Sequence, residues 1–478
     1  MSSRDTIMIP PTIITIFGAT GDLSTKKLIP SLFNLFTRGF LPKRFHILGT
    51  SRRELSSDEY RQFAKESIES KGPILVSRER LEEFLSNISY IQGSFDDFES
   101  YQHLGEALVV EESRLGQCAS KLFYLAVPPI YYKTIFENLA RSGIATSCSD
   151  ETGWTRILVE KPFGNDAVTA RELDDMLGNL FKEEQIFRID HYLAKESLQD
   201  ILMFRFSNML LEPLWSNAYI ERIEISLLEK GDVQNRGAFY DAVGALRDVG
   251  QNHMLQMLTF IAMEDPVVLD AVQIRKSRAE VLRALRPITS GTENIALIRG
   301  QYEGYGDIAS VAKGSETETY FRMEVAVDNP RWRGVPFVLE SGKALNEEKT
   351  EIKVYFKKTE SCLCPSGAEH HHQNILTFRI QPNEGISILF WAKKPGLTPE
   401  LEPKELSFSY RQSADGAQLV DAYEKVLFDG IAGDQMLFTS TEEVVASWQF
   451  ITPILDVMKN ISLRSYKKGS HGPEKTHV

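Results

Sequence analysis

The chain changes its pattern part-way along, and that change limits the folds open to it more than any other feature. In the first half, short apolar runs alternate with amphipathic helical stretches. Residues 12–17 (TIITIF) are apolar and rich in β-branched side chains, a glycine-rich turn follows, and 25–38 (TKKLIPSLFNLFTR) reads as a helix despite Pro30. Strands are expected again at 45–50, 121–127 and 156–160, with a helix over 55–68 after the first of these. Strand, helix, strand in this rhythm builds a parallel sheet with crossover helices on its faces. In the second half amphipathic strands follow one another directly, among them YIERIEISLLE, TYFRMEVAV, EIKVYF, ILTFRIQ and GISILFWAK. Such alternation predicts a large, mostly antiparallel sheet, closed by the helices DAYEKVLFDGI and TEEVVASWQFITPIL.

The chain's 478 residues exceed the roughly 250 to 300 that one hydrophobic core serves, so two domains are expected. The reading is α/β plus α+β: an α/β domain over residues 1–195, an α+β domain over 196–464, and a disordered polar tail over 465–478. Asp and Glu outnumber Lys and Arg by 66 to 54, a net charge of −12. Nucleic acid and anionic membranes are therefore poor partners, and any anionic ligand must be met by a local basic cluster. No run approaches the roughly 20 apolar residues of a membrane span. Four cysteines, with no signal peptide before them, read as a reduced, cytoplasmic protein and not as a disulfide scaffold.

The first chemistry-bearing motif follows the first strand: Gly18-Ala19-Thr20-Gly21-Asp22-Leu23-Ser24. Glycines there let a backbone approach a pyrophosphate whose charge the helix N-terminus meets. The spacing is G-x-x-G-x-x-S, which a plain tight turn would also satisfy. The second strand ends in Gly49-Thr50-Ser51-Arg52-Arg53. A fold of this kind that binds NAD carries a carboxylate at that point for the ribose hydroxyl, whereas arginines suit a 2′-phosphate. Lys27 could add charge to the same site. Glu160-Lys161-Pro162-Phe163-Gly164 places Lys161 at the carboxyl end of a parallel strand, where such sheets bind ligands. It is either an exposed loop lysine or one that holds both a nicotinamide and a substrate hydroxyl, and the Lys161–Pro162 bond is a candidate for the cis form.

The densest segment is Arg188-Ile189-Asp190-His191-Tyr192-Leu193-Ala194-Lys195-Glu196. If a helix begins there, His191 and Lys195 stand one turn apart on one face and suit a phosphate monoester, with Tyr192 adding a hydroxyl. Residues 237–263 are expected as one buried helix carrying Asp241, Asp248, Asn252 and Gln256 as a polar stripe, with His253 at its edge. Buried carboxylates need partners or a cavity. Cys362, Cys364 and His370–His372 suggest zinc, but C-x-C is not the spacing of a common structural site, and a surface loop is the simpler reading.

Taken together, GATGDL, EKPFG, RIDHYLAKE, RDVGQNH, VPFVLESGKAL and RIQPNE resemble, in order, the motifs of the glucose-6-phosphate dehydrogenase family, over residues from about 12 to about 455. The resemblance implies a Rossmann-like N-terminal domain binding NADP through Gly18, Ala19, Thr20, Gly21, Asp22, Leu23, Lys27, Arg52 and Lys161. It implies oxidation of glucose 6-phosphate, with His253 as general base oriented by Asp190. His191, Tyr192 and Lys195 would hold the phosphate; Lys161, Glu229, Asp248, Lys343 and Gln381 would meet the sugar. No metal is required for such a reaction. A cytoplasmic homodimer or homotetramer built on the large sheet is implied as well.

The chain departs from the family pattern at Ala194, where glycine is usual, and at Glu348, where a second cation is usual and Lys349 follows instead. Ser387 and Leu389 stand where members with a second, structural NADP site carry Tyr and Lys, although Arg379 and Lys349 could serve it. Two other readings stay open: a sugar dehydrogenase of the glucose-fructose oxidoreductase type, and a weakly active or inactive NADP-binding regulatory relative.

Overall fold

A computed structural model describes residues 10–72, 76–116, 118–147, 153–286, 297–358, 372–410 and 419–474. The first sheet is built from β1 (Thr12–Phe17), β2 (Phe45–Ser51), β3 (Ile88–Gln92), β4 (Ser120–Leu125), β5 (Thr155–Glu160) and β6 (Ile186–Ile189). These pair in parallel in the order β6-β5-β4-β1-β2-β3. Every residue of β1 and β2 is buried, because crossover helices cover both faces and leave no side of the strand in water. Order reverses between β1 and β4, which opens a crevice at their carboxyl ends, the place where open parallel sheets take ligands.

Among the described residues the second sheet has ten strands. They are β7 (Ile220–Leu228), β8 (Leu285–Arg286), β9 (Leu297–Tyr302), β10 (Tyr320–Val327), β11 (Pro336–Gly342), β12 (Lys349–Phe356), β13 (Ile375–Gln381), β14 (Gly385–Lys393), β15 (Leu401–Ser409) and a terminal strand, Leu463–Tyr466. Most pairs are antiparallel, but β7 and β11 run parallel with Leu228 opposite Gly342. Glu229 and Lys343 therefore leave the sheet side by side. One face, carrying Ile223, Ile225, Ile352, Val354, Leu376 and Phe378, packs on the fully buried helix Leu255–Ala262.

Two expectations change. The tail is not disordered through residue 474: Leu463–Tyr466 pairs in parallel with β9, and the Tyr466 hydroxyl donates to the Lys343 carbonyl at 2.8 Å. One buried aromatic ring anchors a segment whose polar composition hid it. The last four residues lie outside the description. The division by sequence is also not clean, because β16 (Phe438–Thr439) adds antiparallel to β6 and Phe438 meets Phe187 edge-on at 4.8 Å. The helix Ala422–Ala432 likewise rests on the first domain, with Glu424 taking hydrogen bonds from Asn34 at 2.7 Å and Arg38 at 3.0 Å. Cys118 is disulfide-bonded; Cys362, Cys364, His370 and His371 lie outside the described residues. His372 packs on Trp391 with ring centroids 4.2 Å apart.

Candidate active site

Residues 237–263 do not form one regular helix. Gly244 takes φ +74°, and a Cβ there would lie 2.5 Å from a carboxylate oxygen of Glu318, which accepts from the Leu246 N–H at 3.0 Å. Beyond this break Leu246–Met254 winds as a π-helix before α geometry resumes at Leu255. With i to i+5 bonding, residues five apart return almost to one face, whereas in an α-helix they diverge. Asp248 and His253 are such a pair, so the wider winding turns both toward the crevice. Asp241 is not part of the site: it accepts from Tyr305 at 2.9 Å, Ser315 at 2.5 Å and the Ala312 N–H at 3.0 Å, which pins the helix to its neighbouring loop.

The segment after β6 also differs from expectation. Asp190–Lys195 is a turn, and the helix starts at Glu196 with Lys195 at its N-cap. His191 and Lys195 are therefore not related by one helical turn. Asp190 instead accepts from the Tyr192 N–H at 3.0 Å, closing the turn, and from His253 Nδ1 at 2.5 Å. That bond fixes the tautomer, leaving the Nε2 lone pair to accept from Lys161 Nζ at 2.8 Å. Lys161 follows β5 on a cis peptide to Pro162 and also donates to the Asp248 carbonyl at 2.8 Å. Arg188, two residues before Asp190, is buried on Asp174 and Glu183 at 2.7 and 2.9 Å and braces the strand that delivers it.

The other expected residues gather around this pair. The Tyr192 ring stacks on His253 at 4.1 Å, and His191 meets it edge-on at 4.8 Å. Lys195 donates to Gln381 at 2.6 Å, and Gln381 donates to the Tyr192 hydroxyl at 3.3 Å. Lys343 pairs with Glu229 at 2.5 Å and lies 3.7 Å from Asp248. Glu348 is exposed, and Lys349 is shared by Glu347 at 3.0 Å and Glu351 at 3.3 Å. Arg379 is engaged by Glu405 at 3.1 Å.

Charge in this enclosure is set by burial and by near neighbours. Burial lowers His253 below its usual pKa, and Lys161 adds to the drop against the pull of Asp190, so the imidazole is a neutral base near neutrality. Burial alone would raise Asp190, but His253, His191 and Lys161 bring it down to about 2. Burial also lowers Lys161, against the carboxylates of Asp248, Asp190 and Glu160. Glu160 itself is pushed up to about 7 by burial, although it accepts from the Tyr124 hydroxyl at 2.6 Å. Ligand atoms of Asp190, His191 and His253 lie within 4.8 Å of one another. Yet Asp190 and His253 are bonded to each other, and the Lys161 ammonium covers the remaining ring nitrogen of His253, so this trio suits proton transfer better than a cation.

The crevice between β1 and β4 fits a dinucleotide. Gly18 takes φ +78°, and a Cβ there would stand 2.3 Å from the Ala126 carbonyl oxygen; one on Gly21 would stand 3.1 Å from the Gly18 oxygen. The N–H groups of Gly18 and Ala19 both donate to the Thr50 carbonyl, at 2.9 and 3.2 Å, which ties the loop to the end of β2. There Thr20 and Ser51 hydroxyls lie 3.0 Å apart, and the exposed Arg52 guanidinium sits over Tyr131 at 5.9 Å. Asp22 forms an exposed pair with Lys26 at 2.9 Å, while Leu23 packs partly buried against the first-domain core. Lys27 faces elsewhere than expected: it lines a cavity with His191 and Lys195 and pairs with Asp421 at 2.9 Å. Asp421 and Tyr423, whose ring stacks on His191 at 5.8 Å, were missed by sequence reasoning, because they stand more than 200 residues from the motifs they join.

A parallel nucleotide-binding sheet joined to an open sheet, with a buried histidine–aspartate pair at their junction, is the arrangement of a nicotinamide-dependent sugar dehydrogenase. Family models for the NAD binding domain and the C-terminal domain of glucose-6-phosphate dehydrogenase match residues 15–200 and 202–478. The chain belongs to the glucose-6-phosphate dehydrogenase family. It is 39% identical to the glucose-6-phosphate 1-dehydrogenase of Dictyostelium discoideum, over 96% of this chain and 92% of that one. With that of Aggregatibacter actinomycetemcomitans it shares 40%, over 96% and 94%. A solved glucose-6-phosphate dehydrogenase in complex with its substrate superposes with TM-score 0.89 at 35% identity, covering 99% of this chain and 97% of that one. The Mycobacterium avium structure gives 0.84 at 33%, covering 97% and 95%. Levoglucosan dehydrogenase, at 10% identity and TM-score 0.53 over 94% and 97%, shares the fold alone.

Proposed function

We propose that the chain oxidises D-glucose 6-phosphate to 6-phospho-D-glucono-1,5-lactone with NADP as the acceptor. The observation that carries the reading is the buried Asp190–His253 pair set between the dinucleotide crevice and a cavity lined by Lys27, His191 and Lys195. His253 Nε2 takes the proton of the C1 hydroxyl, displacing Lys161 from its lone pair. Asp190 holds the ring in the right tautomer and stabilises the imidazolium that forms. Lys195, His191 and the Tyr192 hydroxyl receive the 6-phosphate as charged and neutral donors. Glu229, Asp248, Lys343 and Gln381 orient the sugar hydroxyls, and Lys161 stays beside the reacting oxygen. Gly18, Ala19, Thr20, Gly21, Asp22 and Leu23 would hold the dinucleotide and Arg52 its 2′-phosphate. When bound, the nicotinamide supplies the hydride acceptor.

Location in the cytoplasm is supported by relatives named as cytoplasmic isoforms in Arabidopsis thaliana and Solanum tuberosum; among the described residues no helix is long and apolar enough to cross a membrane. Assembly as a homodimer or homotetramer is supported by β15, whose outer residues Leu406 and Phe408 are 62% and 44% exposed. The function is tested by absorbance at about 340 nm with NADP or NAD and either glucose 6-phosphate or free glucose. Rapid reduction with the phosphorylated sugar is expected. No reduction with it and either nucleotide would overturn the assignment.

A further inference from the structure

The helix Ala422–Ala432 reaches the active-site cavity from the far end of the chain, and its cap residue brings a carboxylate to a place meant for an anion. The cavity, about 690 Å³, is lined by Lys26, Lys27, His191 and Lys195, but also by Glu384 and Asp421. Asp421 uses one oxygen to cap the helix, accepting from the Tyr423 N–H at 2.8 Å, and the other to hold Lys27 Nζ at 2.9 Å. The same ammonium lies 5.7 Å from the Tyr423 ring centroid, so two residues of one short segment restrain it. Burial lowers the Lys195 pKa, against the carboxylates of Glu384 and Asp421 and together with the like charge of Lys27. The helix itself is tied down by Glu424 on Asn34 and Arg38 and by Arg156 on the Gly430 and Ile431 carbonyls at 2.9 and 2.6 Å. Asp421 is therefore held at the cavity wall by its surroundings and not by Lys27 alone.

We propose that Asp421 is a specificity-determining residue that keeps Lys27 neutralised until a dianionic phosphate monoester draws the ammonium away. The proposal rests on the reading that this cavity receives the 6-phosphate. A small monoanion entering the cavity can reach Lys195 but gains little from Lys27, whose charge Asp421 already meets. A phosphate dianion spans Lys27 and Lys195 together, and its charge-assisted hydrogen bonds outweigh the lost pair. Both members are about two-fifths exposed, with side-chain accessibilities of 43% and 40%, so the pair is weak enough to be exchanged.

The test is Asp421→Asn, which keeps the helix cap because Asn caps as well as Asp, made alone and together with Lys27→Met. Dissociation constants for inorganic phosphate and for acetate are measured by calorimetry on the full-length protein. Turnover of glucose 6-phosphate by the unaltered protein is measured first; its absence would overturn the functional reading and this proposal with it. In the Lys27 background we expect Asp421→Asn to tighten inorganic phosphate by about threefold and acetate by a larger factor, so that discrimination between the two narrows. With Lys27→Met present, both gains should vanish. Turnover in the unaltered protein, with Asp421→Asn leaving both constants unchanged or changing them equally in the two backgrounds, would overturn the role of Asp421 alone.

Discussion

At the residue scale the proposed chemistry rests on one bond, between His253 and a carboxylate 63 residues earlier. Replacing His253 by Asn should lower kcat by on the order of a thousandfold, while NADP affinity, measured by calorimetry, stays within about twofold. An active variant would remove His253 as the base. Asp190→Asn gives a test with a sign. The Asp190 charge raises the His253 pKa against burial, so its loss lowers that pKa and leaves the ring neutral to lower pH. The acid limb of the pH–rate profile should move down in pH, while the plateau falls because imidazolium is no longer stabilised. A limb that stays in place or moves up would contradict this. The roles of Asp190 and His253 were legible only through family resemblance. Taken from residues alone, Asp190 passed for a helix cap, while the polar stripe beside His253 weighed against the usual reading of a helical histidine as a core residue without assigning it a role.

At the scale of elements, local patterns were read well and departures from regular winding were not. The glycine turn after β1 and the arginines after β2 are short-range signals, and the structure puts them at one crevice. Arg52→Ala should reduce kcat/KM for NADP by about tenfold or more relative to NAD, the scale of a lost charge-assisted contact to phosphate. Steady-state kinetics with both nucleotides checks this, and equal losses would show that no 2′-phosphate is read there. The π-winding of Leu246–Met254 had no signature in the hydrophobic pattern, because an apolar helix can widen by one residue per turn without exposing its core. Its only trace is Gly244, whose φ of +74° a side chain would strain. Gly244→Ala should lower both thermal stability and kcat, since the added methyl pushes on Glu318 at the point where the winding toward His253 begins. A variant with unaltered kcat would uncouple that glycine from the site.

For the whole molecule, two sheets and their order were expected from the change in pattern, while the exchange of segments between them was not. Sequence distance hides such contacts: Lys27 and Asp421 are 394 residues apart, and no local periodicity links them. The polar tail misled for a related reason, since one ring, that of Tyr466, outweighs the composition around it. The helices Ala271–Arg283 and Thr441–Met458 are joined by Arg278 and Glu443, paired at 2.8 Å with neither side chain exposed. Glu443→Gln leaves a buried guanidinium without its counter-charge and should destabilise by about 3 kcal/mol. That would be seen as a lower denaturation midpoint, with turnover at 25 °C retained while the protein is folded.

The strand Phe438–Thr439 completes the nucleotide-binding sheet from the other end of the sequence. Some 249 residues of chain separate Ile189 from Phe438 and must therefore emerge from the ribosome before that sheet gains this strand. Until then a nascent chain presents the bare edge of β6, an open template for intermolecular pairing. Slow or interrupted translation late in the message should thus produce chains with an unpaired β6 edge that depend on chaperones for their solubility.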